Sequence, residues 1–136
     1  MKILKPVIPA LLAALVLKLF VFDIIIAQGD SMEPAIRSGS VLVVNRLRYG
    51  LRLPLINNKN NNKNEYLIRW AAPKTGEVLV FYTPEGEKAV KRCAEIYGGN
   101  AGMNFYAYGD NSLASYDSRS YGPVPVDNII GKVLGR

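Results

Sequence analysis

Two regimes of hydrophobic patterning divide the chain. Val7 to Phe22 is apolar except for Lys18, and Ile3 and Leu4 extend the run. A helix there has no polar face to turn to water. At about 1.5 Å per residue, Ile3 to Phe22 would span roughly 30 Å, one hydrocarbon core. The pattern predicts a short leading segment and a single transmembrane anchor within 1–22. Lys18, about one turn from its end, can snorkel to the headgroups. Lys2 and Lys5 precede the span, which favours a cytoplasmic N-terminus and puts the remainder on the exported side. Two rival readings exist. Ala27-Gln28-Gly29 is small-x-small, as at the end of a cleaved signal peptide, but Lys18 and Asp23 interrupt that pattern. A buried core helix would need more chain around it than 136 residues supply.

Beyond Phe22 the period shortens. Short β-rich runs alternate with Gly, Pro and Asn punctuation. Strands are predicted over Asp23–Gln28, Ser40–Asn45, Glu77–Tyr82, Lys88–Ile96, Phe105–Tyr108 and Ile129–Leu134. Little here reads as helix. Asn57–Asn64 (NNKNNNKN) is a low-complexity polar stretch, and a mobile loop is expected over about 55–64. The fold class is therefore mostly β, a compact domain over 23–136 carried on one N-terminal helix.

Composition narrows the chemistry. The chain has no histidine, which excludes His-dependent dyads, triads and metal sites. A single cysteine excludes an intrachain disulfide framework. The net charge of +6 suggests nucleic acid as a partner, but its distribution does not. Three lysines sit in or beside the apolar run, seven basic residues lie between Arg46 and Lys74 against Glu65 alone, and no nucleic-acid motif occurs. A face towards an anionic membrane surface, or a merely solvated one, fits as well.

Three segments could carry a reaction. In Gly29-Asp30-Ser31-Met32-Glu33-Pro34, a strand ends, a glycine permits a sharp turn, and a serine sits at the tip. On its own this is an ordinary turn. A serine needs a base, and lysine serves if an apolar setting keeps it neutral. Along Lys88–Cys93, Ala89, Lys91 and Cys93 share one face by strand alternation. Lys91 has small uncharged neighbours, whereas Lys88 shares its face with Arg92; both could equally be surface lysines on an edge strand. Cys93 reads as a small buried hydrophobe. In Gly109–Arg119, Asp117 and Arg119 could pair, and Ser115 or Ser118 could bond to a catalytic amine.

In this order and register, the segments resemble the type I signal peptidase family of membrane-bound Ser/Lys serine peptidases. The resemblance runs from about Phe20 to the C-terminus. It rests on Gly29–Pro34, on Ser40–Pro54 (SVLVVNRLRYGLRLP), on Gly76–Phe81 (GEVLVF), on Lys91-Arg92, and on Gly109-Asp110-Asn111 followed by Ser115, Asp117, Ser118, Arg119 and Gly122. It implies that Ser31 is the nucleophile and Lys91 the general base. It also implies that Ser115 orients the lysine, that Asp117 and Arg119 form a structural ion pair, and that Met32 supports the pocket. Implied too are secretory precursors as substrates, cut at small-x-small sites, and a lipid bilayer as second partner. The place would be the plasma (inner) membrane, with no metal or cofactor and no nucleic acid.

The chain departs from the family pattern at four places: Gly29, Gly39-Ser40, Tyr97-Gly98-Gly99-Asn100 and Ser112. Gly29 stands where the family often has a hydroxyl that donates to the oxyanion hole. The hole would then rest on the Ser31 N–H and another backbone donor or water; an unreplaced donor costs about 10²–10³ in rate. Two alternatives remain open: a degenerate membrane-tethered binding module, and a self-cleaving repressor-type Ser/Lys protease.

Overall fold

A computed structural model of the chain describes residues 4–52, 66–99 and 102–136. The polar loop expected over about 55–64 lies outside them. The chain opens with α1 (Leu4–Val16) and continues through a π-helical turn (Leu17–Val21) directly into β1 (Phe22–Ile26). Val16 keeps helical dihedrals (φ −61°, ψ −46°), so the axis carries on into the π turn, and Phe22 is extended. The expected span is thus divided: α1 has 13 residues and contains Pro9. Among the described residues no helix is long and apolar enough to cross a membrane.

The rest is mostly β, as patterned. The strands are β2 (Val41–Asn45), β3 (Gly50–Leu51), β4 (Ile68–Arg69), β5 (Val78–Tyr82), β6 (Lys88–Gly99), β7 (Gly102–Tyr108), β8 (Val124–Pro125) and β9 (Ile129–Val133). Seven form one antiparallel sheet in the order β1-β2-β9-β5-β6-β7-β8, and β3 pairs with β4 alone. The register of β1 on β2 sets Ile24 opposite Val43 and Ile26 opposite Val41.

β5 is apolar on both sides, and two clusters divide its side chains. One contains Val78 and Val80 with Ala27, Met32, Ile36, Leu42, Val44, Ile130 and Val133. The other contains Leu79 and Phe81 with Tyr49, Cys93, Phe105, Ala107, Val124, Val126 and Ile129. Phe81 and Phe105 meet edge to face at 5.3 Å, a favoured arrangement of ring quadrupoles. A polar bolt ties β3 to the main sheet. The buried Tyr49 hydroxyl donates to Glu77 Oε2 at 2.6 Å, and Lys132 Nζ donates to Oε1 at 3.0 Å. Burial would raise the Glu77 pKa, but the bonds from Tyr49, the Lys74 N–H and Lys132 outweigh it and hold it below the ordinary value.

Strand order frames the question of the site. Ser31 follows β1, and Lys91 lies on β6, four strand positions away. In a flat sheet that is roughly 19 Å at about 4.8 Å per strand. Only a sheet curled across its own face, with the 29–36 turn folded over it, can bring the two together.

Candidate active site

The Ser31 turn is built from its backbone outwards. After β1, Ala27 N–H donates to Ser40 O at 2.9 Å and Gly39 N–H to Ala27 O at 2.8 Å. Gly29 then takes φ +75°, the left-handed region that glycine enters without steric penalty. Its N–H donates to Ser38 Oγ at 3.2 Å. Glu33 N–H to Asp30 O (3.1 Å) and Ile36 N–H to Met32 O (2.8 Å) close the turn. Met32 and Ile36 are 3% and 1% exposed and anchor it in the first cluster. The Ser31 carbonyl accepts from Asn111 N–H at 2.9 Å. Among the described residues no partner engages the Ser31 N–H, which leaves it available as a donor.

Lys91 Nζ lies 2.6 Å from Ser31 Oγ, hydrogen bonded across 60 positions of sequence. Lys91 stands opposite Leu79 and is 7% exposed, with Ala89 and Cys93 packed against the second cluster on either side along the strand. Burial pushes its pKa below the ordinary lysine value; Asp117 opposes that shift and Arg119 adds to it. Lys88, three residues earlier, is exposed. Burial pushes the Cys93 thiol up to about 11, so it stays protonated and inert.

The Gly109–Arg119 loop folds around one carboxylate. Asp117 is fully buried. Its Oδ2 accepts from Ser115 Oγ (2.6 Å), Gly109 N–H (2.8 Å) and Arg119 Nη2 (2.5 Å). Its Oδ1 accepts from Arg119 Nε (2.9 Å) and N–H (3.1 Å). Burial alone would raise its pKa, but the Arg119 and Ser115 bonds and the backbone donors hold it far below the usual carboxylate range. The Ser115 proton is thereby committed to Asp117, which leaves the lone pairs of Oγ free to accept.

Two contacts tie this loop to the Ser31 turn. Arg92 donates from Nε and Nη2 to the two oxygens of Asp110 at 2.8 and 2.7 Å, and from Nη1 to Gly76 O at 2.8 Å. That fixes Asn111, whose N–H holds the Ser31 carbonyl. Gly109 supplies the second contact. A Cβ there would overlap Ser115 Oγ and stand 2.6 Å from both Ser115 Cβ and the Ser31 carbonyl oxygen. Gly109→Ala must therefore displace Ser115, the Ser31 backbone or both. It is expected to lower kcat about 10²-fold, the effect of a displacement near 1 Å, with a smaller change in thermal midpoint by circular dichroism. Arg92, Gly109 and Asp110 were quoted from sequence as parts of motifs, but neither the Arg92–Asp110 pair nor the close approach at Gly109 was expected. The opposite charges of Lys91-Arg92 and Gly109-Asp110-Asn111 were the available signal.

A cleft of about 660 Å³ opens at the pair. One wall is Ile24 to Gly29 with Ser31, Met32 and Ile36; the other is Thr83, Glu87 to Lys91 and Tyr116. Both walls offer backbone. β1 ends the sheet order, and β7 pairs with β6 only from Arg92 onwards, so among the described residues Lys88–Lys91 have no partner strand on that side. Gly29, Ser31, Met32 and Lys91 thus line one cavity, and Ser115, Asp117 and Arg119 form its support. Among the described residues no group of side chains could hold a metal ion.

The family model described as "Signal peptidase, peptidase S26" matches residues 1–104 and 100–136. A protein named Signal peptidase I from Bacillus caldolyticus is 29% identical over 86% of this chain and 80% of its own length. One of the same name from Pseudomonas fluorescens is 34% identical over 69% of this chain, and one from Haemophilus influenzae 29% identical over 95%. The chain spans only 31% and 33% of the lengths of these last two.

Proposed function

From the premise that this chain belongs to the signal peptidase family, peptidase S26, we propose that it is a signal peptidase I, cutting secretory precursors after small-x-small sequences with Ser31 and Lys91. The observation that carries this reading is the 2.6 Å approach of Lys91 Nζ to Ser31 Oγ with the amine buried. Burial lowers the lysine pKa, and a neutral amine can take the serine proton. An extended substrate adds between the free edges of β1 and of Lys88–Lys91. Ser31 Oγ attacks the scissile carbonyl, and its oxygen is received by the free Ser31 N–H. Lys91 passes its proton to the leaving amine, the C–N bond breaks, and water then hydrolyses the acyl-serine. Ser115 bonds to Asp117 and not to the lysine; on this reading its free Oγ lone pairs steady Nζ as the proton moves.

The reading includes a bilayer. Leu4–Val21 is the proposed anchor, with its N-terminus on the cytoplasmic side. Val7, Ile8, Leu11, Leu12, Leu15, Val16 and Leu17 are all exposed, unpacked by the rest of the chain. The helix passes into β1 with no linker. The outward side chains of the first hairpin, Phe22, Ile24, Ile26, Val41 and Val43, are exposed and apolar too. A contiguous apolar surface of this kind marks an interaction site, and lipid is the partner that suits both parts.

The test is cleavage of an Ala-x-Ala peptide by the full chain in detergent, with the products identified by mass spectrometry. Cleavage after the second alanine supports the reading; an intact peptide defeats it and leaves a binding module. The pH profile adds a second check. The base is active when neutral, so kcat/KM is expected to rise with pH along a limb centred below the ordinary lysine value of about 10.4. The same shift affects stability. Between the folded and the unfolded lysine pKa the unfolded chain binds more protons, so stability rises with pH across that window.

A further inference from the structure

Tyr116 is a cleft residue that the proposed chemistry does not use. It lies between Ser115 and Asp117, yet its side chain leaves that network. The ring is 61% exposed, lines the same cavity as Ser31 and Lys91, and is fixed at two points. Its hydroxyl donates to Glu85 Oε1 at 2.9 Å, and Tyr121 packs against it edge to face, with centroids 5.3 Å apart and planes at 66°. Glu85 belongs to the turn between β5 and β6, which is itself braced. Thr83 N–H donates to Glu87 O at 2.8 Å, Gly86 N–H to Thr83 O at 2.9 Å, and Glu87 N–H to Thr83 Oγ1 at 3.2 Å.

The result is a strut. It runs from the loop that supports the lysine to the turn that starts the lysine's own strand, beside the free backbone of Lys88–Lys91. A peptide lying along that edge meets a flat aromatic face that cannot swing away without breaking the bond to Glu85. An exposed tyrosine is more usually solvated at its hydroxyl and free in χ1; here the bond to Glu85 opposes that freedom. Sequence could not single it out, because its carboxylate partner lies 31 positions away.

We propose that Tyr116, tethered by Glu85, is a specificity-determining wall of the cleft, which packs on one apolar substrate side chain near the scissile bond and limits its size. The inference rests on the peptidase reading above. It deepens that reading by naming what restricts the substrate at one position.

The experiment uses the full chain in detergent and a panel of Ala-x-Ala peptides. Each position flanking the scissile bond is varied in turn from alanine through leucine to phenylalanine. The readout is the ratio of kcat/KM for the bulky and the small peptide at each position. For Tyr116→Ala that ratio is expected to rise about tenfold at one position and to stay constant at the others, the scale on which an apolar pocket discriminates by size. Tyr116→Phe and Glu85→Ala each release the tether and are expected to give a smaller rise at that same position. Their double variant is expected to exceed neither, because both remove one interaction. A uniform loss of rate with unchanged ratios would overturn the proposal, as a merely structural residue would behave that way. An effect of Tyr116→Phe without one of Glu85→Ala would overturn the tether. Failure of the wild type to cut any peptide would instead sink the peptidase reading itself.

Discussion

Lys91→Met is expected to lower kcat on an Ala-x-Ala peptide by about 10⁴-fold or more, with little change in KM. Methionine has nearly the length of lysine and no charge. The site that receives it is 7% exposed and flanked by Ala89, Cys93 and Leu79. The variant is therefore expected to melt at or above the wild-type temperature, since the cost of burying an amine disappears. Loss of turnover with stability retained separates a chemical role from a structural one. Ser31→Ala is expected to fall to the same floor. The double variant should fall no further, because a nucleophile and its base act as one unit. Rate assays of all three, beside melts by circular dichroism, test it. Substantial cleavage by Lys91→Met would mean that another group takes the serine proton.

The second large effect is on folding. Asp117→Ala deletes a fully buried carboxylate that five donor groups share. Arg119 is partly solvated and can turn to water, but the Gly109 N–H and the Ser115 hydroxyl cannot easily do so. The expected cost is about 3 kcal/mol, or roughly 10 °C in the thermal midpoint. The pH dependence carries a definite sign. The folded carboxyl is held below its unfolded value of about 3.9, so its contribution is fully present above about pH 4 and fades as the pH falls towards the folded value. Melts of wild type and variant should converge as acid is added. A gap that is constant with pH would show that the carboxylate's charge is not what stabilises the loop.

How much of this was legible differs by scale. Six strands could be read: five are runs rich in β-branched or aromatic residues, and Lys88–Ile96, which is not, was read from its alternation and the turn before it. β6 proved longer than its apolar signal, reaching Gly99 against an expected end at Ile96. β3, β4 and β8 are two residues each, too short for any alternation to register. Lys91 stood out from Lys88 by its small neighbours, and the burial of one and exposure of the other follow the same logic. The curl that carries β1 towards β6 was not legible. It depends on the packing of Met32 and Ile36 against Val78, Val80 and Val133, residues distant in sequence. The sharp turn at Gly29 was legible, and the two sequence readings of that residue are reconciled by its conformation. Missing a hydroxyl reads as a loss in sequence, whereas at φ +75° the same residue is what lets the turn form.

The strand order has one consequence for the life of the chain. The β1–β2 hairpin carries Ser31, and the β5–β8 segment carries Lys91. In the main sheet these halves touch only through β9, which slots between β2 and β5. β9 is also the last of these strands in the chain. During synthesis the hydrogen-bonded ladder of the main sheet therefore cannot run from one half to the other until residues 129–133 emerge. The last of these strands to be made is thus the keystone of the main sheet.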